Sequence, residues 1–134
     1  MTFYEQEVRR ISAMLYPRPE LSRRIVEAKE YIDRQYQGPV DLSSIAGRAF
    51  VSKFHFLRLF KQHYGMTPHQ YLTAVRLREA RRLLAEGLPV SQVCGAVGFD
   101  SISSFKGLFK RYWGKTPSML KKAILKTGAE VKDR

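Results

Sequence analysis

Lys53, Phe54, Leu57, Arg58 and Lys61 recur at intervals of three and four residues, the spacing that gathers side chains on one face of a helix. The set combines three cations with two apolar groups and holds no carboxylate. Arginine carries a planar fork of donors that fits two adjacent acceptors, such as O6 and N7 of guanine. Leucine and phenylalanine supply the apolar contact that a thymine methyl accepts, and lysine supplies a point charge for a phosphate. Ile102, Ser103, Lys106, Gly107 and Lys110 form a second face at the same spacing, with hydroxyl and ammonium donors for base edges or phosphate. Apolar residues on an outward face also suit contact with another part of the protein, so both readings stand for Phe54, Leu57 and Ile102.

Other chemistries are poorly served. No carboxylate pair, nucleophile–base set, phosphate-binding glycine loop or metal cluster can be assembled from the sequence, so no enzyme and no cofactor is expected. His55, His63 and His69 lack partners at metal-ligand spacing. Cys94 is the only cysteine, which excludes an intrachain disulfide. Set among Val93, Ala96 and Val97, it reads as a small buried hydrophobe rather than a thiol sensor. The formal charge is +12, and residues 41–134 hold seventeen basic side chains against six acidic ones, an imbalance that favours a polyanion. No apolar run approaches the roughly 20 residues of a membrane span, and Glu5, Glu7, Arg9 and Arg10 interrupt anything like a signal peptide. A cytoplasmic protein without a membrane partner is expected.

The elements that must position these faces are helical throughout, with apolar residues near a 3.6-residue period. Phe3, Tyr4, Val8, Ile11 and Leu15 suit a first helix that packs on the body of the chain, the favoured reading, or pairs with another chain, after which Pro17 and Pro19 break it. Ser22 is the expected cap of a helix carrying Ile25, Ala28, Ile32 and Tyr36, and Asp41 of a short one with Leu42, Ile45, Ala46 and Ala49 inward. Ser52 opens a helix that runs to Tyr64 and stops at Gly65. Thr67-Pro68 opens the longest, with Tyr71, Leu72, Val75, Ala80, Leu83 and Leu84 as its stripe and Gly87 and Pro89 beyond its end.

The later part of the chain repeats the earlier part. Ile45-Ala46 matches Val93-Cys94 and Ala49 matches Val97 at a separation of 48, which becomes 49 after one extra residue in the turn. Ser52, Phe56, Leu59-Phe60-Lys61, Gly65 and Thr67-Pro68 then match Ser101, Phe105, Leu108-Phe109-Lys110, Gly114 and Thr116-Pro117. Each unit is a short helix, a tight turn and a longer serine-capped helix, which is the layout of a helix-turn-helix. Gly98 stands where the second turn calls for positive φ, and Phe50 holds the matching place in the first. Phe56, Leu59, Phe60 and His63 or Tyr64 should face inward from one long helix, and Phe105, Leu108, Phe109 and Tyr112 from the other.

Over about residues 22–125 the sequence resembles the DNA-binding domain of the AraC/XylS family of bacterial transcription regulators. The resemblance rests on Asp41 through Ala46, Ser52 through Lys61, Gly65-Met66-Thr67-Pro68, Tyr71-Leu72, Arg76-Leu77, Ala80 and Leu83-Leu84. It continues through Val97-Gly98-Phe99 and the stretch from Phe105 to Pro117. It implies an all-α fold of about seven helices, plus an additional N-terminal one, with two homeodomain-like helix-turn-helix subdomains joined by a long central helix. Residues 1–20 would be an extension, 21–67 the first subdomain, 68–87 the bridge, 88–127 the second subdomain and 128–134 a tail.

Two recognition helices, about 52–64 and 101–113, would enter successive major grooves of double-stranded DNA, roughly 34 Å apart. Bases would be read by Phe54, Leu57 and Arg58, and by Ser103, Lys106 and Ile102. Phosphates would meet Ser52, Lys53, Lys61, Ser101, Lys110 and Thr116. Members of the family often carry a polar residue in place of Leu57 and arginine in place of Gly107. The first departure points to thymine, and the second leaves base specificity mainly to the first unit. Arg76, Arg78, Arg81 and Arg82 serve either DNA contact or local ion pairs with Glu79 and Glu86.

With Met1 as the natural start, the chain would resemble the stand-alone members, which bind DNA as monomers. As an excised piece it would be the DNA-binding half of a larger ligand-controlled regulator. Activation would add contact with RNA polymerase. A basic architectural protein without sequence preference, or an interaction module docked through the outward apolar residues, are the readings from other classes.

Overall fold

Three of the helices begin with a proline, whose missing N–H is one of the donors that a first helical turn leaves unused. In the computed structural model, which describes residues 2–7, 19–48 and 51–127, α1 is Pro19–Gln35, α2 Leu42–Arg48, α3 Lys53–Tyr64, α4 Pro68–Ala85, α5 Val90–Ala96, α6 Ile102–Trp113 and α7 Pro117–Thr127. Residues 3–7 are helical as well, and no strand occurs among the described residues. Pro19 therefore starts α1 where the sequence suggested a break, and Ser22 lies within the helix rather than capping it.

Asp41 and Thr116 cap as expected, because a side-chain oxygen three residues upstream reaches an otherwise orphaned N–H, whereas Pro89 opens α5 without a side-chain bond. Asp41 Oδ1 accepts from Ser44 N at 3.1 Å, and Thr116 Oγ1 accepts from Met119 N at 3.2 Å. At the N-terminal segment Thr2 Oγ1 accepts from Glu5 N at 3.1 Å while the Glu5 carboxylate accepts from Thr2 N, a reciprocal box. Phe3 and Tyr4 are 78% and 76% exposed, so these two do not supply the intramolecular packing expected of that segment. Val8, Ile11 and Leu15 lie outside the described residues, as do Ala49 and Phe50.

The chain divides into two compact units. The first comprises Met1–Tyr31 and Asp41–Thr67. Its short α2 packs against α3, and Ile25, Ala28, Ala46, Phe56, Leu59 and Phe60 are its buried apolar residues.

The second comprises Ile32–Val40 and Pro68–Arg134. Within it α4 packs against α5, α6 and α7. Leu77, Ala80, Leu84, Val93, Cys94, Val97, Phe105, Phe109, Leu120 and Ile124 make one continuous core. Ala74 and Leu77 join the buried stripe of α4, whereas Tyr71, Val75 and Leu83, expected in it, are only half-buried. Cys94 is buried, its Sγ 3.8 Å from the Phe99 carbonyl, and burial pushes its thiol pKa up.

Candidate nucleic-acid interface

The two turns close in the same way. Val51 N donates to the Ala46 carbonyl at 3.4 Å, and Phe99 N donates to the Cys94 carbonyl at 3.0 Å. Both acceptors belong to small buried residues, which let the short helix approach the longer one. In the second turn Gly98 has φ +103°, a value that L side chains rarely adopt. Its matching residue Phe50 lies outside the described residues.

Each longer helix is then opened and closed by matching residues. Ser52 Oγ accepts from His55 N at 3.1 Å, and Ser101 Oγ from Ser104 N at 3.2 Å. Gly65 and Gly114, at φ 79° and 82°, return their N–H to the Lys61 and Lys110 carbonyls, each at 2.7 Å. The inward faces carry aromatic ladders. Phe56, Phe60 and Tyr64 follow one another along α3, with centroids 6.1 and 4.9 Å apart, and Phe105, Phe109 and Trp113 along α6 at 5.7 and 6.5 Å.

Tyr112, expected inward, is instead 46% exposed. Trp113 takes the inner position, its indole N–H donating to the Leu77 carbonyl at 3.0 Å and its ring lying 4.9 Å beneath the Arg81 guanidinium. The repeat itself carried the signal for this, because Trp113 lies 49 residues after Tyr64. His63 is exposed, so Tyr64 is the inward member of that pair.

The outward faces are left to solvent. Lys53, Arg58 and Lys61 are exposed on α3, and Phe54 is 78% exposed; Leu57, expected outward, is half-buried on the shoulder of the helix. On α6, Ser103, Lys106, Gly107 and Lys110 are exposed and Ile102 is 42% exposed. Ser103 Oγ lies 3.1 Å from Ser101 Oγ, so the cap hydroxyl and the outward hydroxyl share a hydrogen bond. Ser52 and Ser101 are exposed and Thr116 is half-buried. A Cβ on Gly107 would meet nothing within 4 Å, so the missing side chain leaves open space on that face.

Cations stand without carboxylates on the helices that carry the outward faces. Neither α3, α6 nor α7 contains an aspartate or glutamate. The ion pairs sit elsewhere: Glu27 pairs with Arg24 on α1, and Glu79 and Glu86 both pair with Arg82 on α4, at 2.9 and 2.7 Å, while the exposed Asp100 beside the α6 cap acts on Arg76. Arg82 therefore takes the local ion-pair option. Arg76 takes neither option foreseen for it. Its Nε and Nη2 donate to the Tyr36 and Gly38 carbonyls at 2.7 and 2.9 Å, and its guanidinium lies 5.6 Å over the Phe99 ring. Arg78 is exposed, with Nε 3.4 Å from the Ala74 carbonyl. An unopposed cationic face with protruding apolar groups, on a capped helix, suits a polyanion whose grooves carry methyl groups.

Among the described residues no group of His, Cys, Asp and Glu is placed to hold a metal ion, and no helix is long and apolar enough to cross a membrane.

Residues 45–123 match the family described as a helix-turn-helix domain. The chain is 37% identical over 109 residues to "Probable transcriptional regulator LumQ" of Photobacterium leiognathi, covering 80% of this chain and 44% of that protein. Among solved structures, the DNA-binding domain of AdpA, a global transcriptional factor crystallised with a target DNA, superposes with a TM-score of 0.69 at 30% identity, over 75% of this chain and 91% of that one. The C-terminal domain of AraT, a response regulator from Geobacillus stearothermophilus, gives 0.69 at 27% identity, over 75% and 84%. The chain spans less than half the length of LumQ and of the next relatives it resembles. A transcriptional regulator of Chromobacterium violaceum described as an AraC-type DNA-binding domain-containing protein gives a TM-score of 0.68 at 26% identity, over 84% of this chain and 95% of that one. With the repeated capped helices, the small residues at each helix crossing and these likenesses together, the chain belongs to the AraC/XylS family of helix-turn-helix transcription regulators.

Proposed function

We propose that this chain binds double-stranded DNA sequence-specifically and regulates transcription, with the N-terminal halves of α3 and α6 as its reading heads. The observation that carries this reading is the pair of serine-capped helices, each free of carboxylates and each presenting an exposed face of cations and hydroxyl or apolar groups. Likeness to the AdpA domain, whose structure holds a target DNA, supports it.

In this reading Phe54, Leu57 and Arg58 contact bases from one helix, and Ile102, Ser103 and Lys106 from the other. Ser52, Lys53, Lys61, Ser101, Lys110 and Thr116 hold phosphates, because exposed cations and helix N-termini fix register on the backbone rather than sequence. Residues 21–67 and 88–127 act as the two reading subdomains, 68–87 as the bridge, and 1–20 and 128–134 as an extension and a tail. The two helices enter successive major grooves, and the chain binds as a monomer at the chromosome in the cytoplasm. RNA polymerase is its partner in activation, and it performs no catalysis.

Selection of binding sites from random duplex DNA tests the reading. Two short preferred blocks about 10 bp apart are expected, the centre-to-centre spacing of one helical turn. Binding that varies by less than about tenfold among unrelated duplexes, against the usual thousandfold or more, would instead mark a sequence-independent architectural protein.

A further inference from the structure

Phe54 is the most exposed large apolar residue on either long helix, with 78% of its surface in solvent, and it stands in the first turn, where a groove-reading helix meets base edges. Leu57 and Arg58 follow at three and four residues, so all three flank one another on the same face. Leu57 is half-buried and forms a fixed shoulder, while Arg58 is exposed and has no ion pair or hydrogen bond with a described residue. Lys53 and Lys61 bracket the trio with positive charge, which matches a phosphate-lined groove and no apolar partner.

The apolar feature that a major groove displays is the methyl group on C5 of a pyrimidine. A ring that touches this methyl makes no contact with the O4 or N4 group that separates thymine from cytosine. We propose that Phe54 and Leu57 form a receptor for the pyrimidine 5-methyl group itself, beside a guanine held by Arg58. The α3 site would accept thymine and 5-methylcytosine alike and would discriminate against unmethylated cytosine. Cytosine methylation of the DNA would then raise the affinity of this protein for a site that carries cytosine at that position. The other helix offers an internal contrast. Forty-nine residues on, Ser103, Lys106 and Gly107 replace Phe54, Leu57 and Arg58, and only Ile102 is apolar on that outward face.

This inference rests on the DNA-binding reading above, and the test separates the two. The full chain is titrated with its selected duplex and with duplexes carrying deoxyuridine for each thymine, cytosine for each thymine, or 5-methylcytosine at the same positions. At one position in one block, thymine and 5-methylcytosine should bind equally, and uracil and cytosine about fourfold more weakly, the factor that burial of one methyl-sized group corresponds to. Phe54→Ala should abolish that difference, and Ile102→Ala should leave it intact; both side chains are exposed, so neither change removes core packing.

Sequence-specific binding in which no uracil substitution changes affinity by as much as twofold would overturn the proposal while leaving the DNA-binding reading standing. A methyl effect that survives Phe54→Ala and vanishes in Ile102→Ala would overturn it too. Failure to select any preferred sequence would sink both together.

Discussion

Arg76 lies directly against Gly98: a Cβ on Gly98 would come within 2.9 Å of the Arg76 Nε and within 2.7 Å of the Tyr36 carbonyl which that nitrogen binds. The same guanidinium covers Phe99, whose ring packs 5.2 Å from Phe105 on α6. One arginine on α4 thus ties residues 36–38 to the turn that launches α6, and glycine is required where the three meet.

Gly98→Ala should therefore be far costlier than an ordinary turn substitution. The added methyl meets a backbone carbonyl and the rooted end of the guanidinium, and the positive φ adds strain of its own. A loss of about 2–4 kcal/mol is expected, read as a lower urea midpoint at unchanged slope. An unchanged midpoint would show that the turn relaxes freely.

Gly107→Ala should move stability the other way. The position is exposed, helical and sterically open. Alanine lowers the entropy of the unfolded chain and should add about 0.5–1 kcal/mol in the same assay. Gly107→Arg, which restores to α6 the residue type that Arg58 gives α3, should also tighten DNA binding and sharpen one base in the second block.

Arg58→Ala should cost about 1–3 kcal/mol of binding and relax one base position. Lys106→Ala should lower discrimination less, since a lysine lacks the planar fork. Lys61→Ala and Lys110→Ala should weaken binding to all sequences evenly and each reduce the slope of log K against log salt by about 1. Equal losses of discrimination in the Arg58 and Lys106 variants would contradict the expected dominance of α3.

The caps admit a direct comparison across the repeat. Ser52→Ala and Ser101→Ala each remove one side-chain acceptor from an N–H of the first turn, and each should destabilise by about 0.5–2 kcal/mol. The Ser101 change also frees the Ser103 hydroxyl, so it should alter DNA affinity beyond its effect on folding.

Alkaline pH should lower stability gently. Burial raises the pKa of Cys94, and burial with the nearby Glu79 charge raises that of Tyr36. For a group whose pKa is higher folded than unfolded, the stabilisation is complete below the unfolded pKa and is lost as pH climbs through the folded one. The urea midpoint should hold to about pH 8.5 and decline above it, and Cys94→Ala should remove part of the decline. At neutral pH the thiol should react with a disulfide reagent only slowly until denaturant is added.

The sequence alone determined what is decided within a few residues. A serine, aspartate or threonine meets an N–H three positions on, a glycine ends a helix in the left-handed region, and a proline fits a first turn; these contacts are local, so the spelling suffices. The repeat carried those rules from one unit to the next and fixed the all-helical, twice helix-turn-helix plan. Even there local signals competed: Pro19 and Ser22 both suit the first turn of α1, and Pro19 prevailed as the start.

Tertiary structure alone decided where long side chains end. Arg76 had Glu79 within helical reach, yet it binds carbonyls 38 and 40 residues away in the chain, where backbone oxygens without helical partners converge on it. Trp113 takes the inner place that the repeat marks for it, but its indole acceptor, the Leu77 carbonyl 36 residues upstream, is named by no local spacing. Leu57 shows the same limit, since helical spacing gives its angle on the helix but not how far its neighbours rise around it. Helical periodicity is a one-dimensional property; the depth of a side chain and the identity of a distant acceptor exist only once helices have packed.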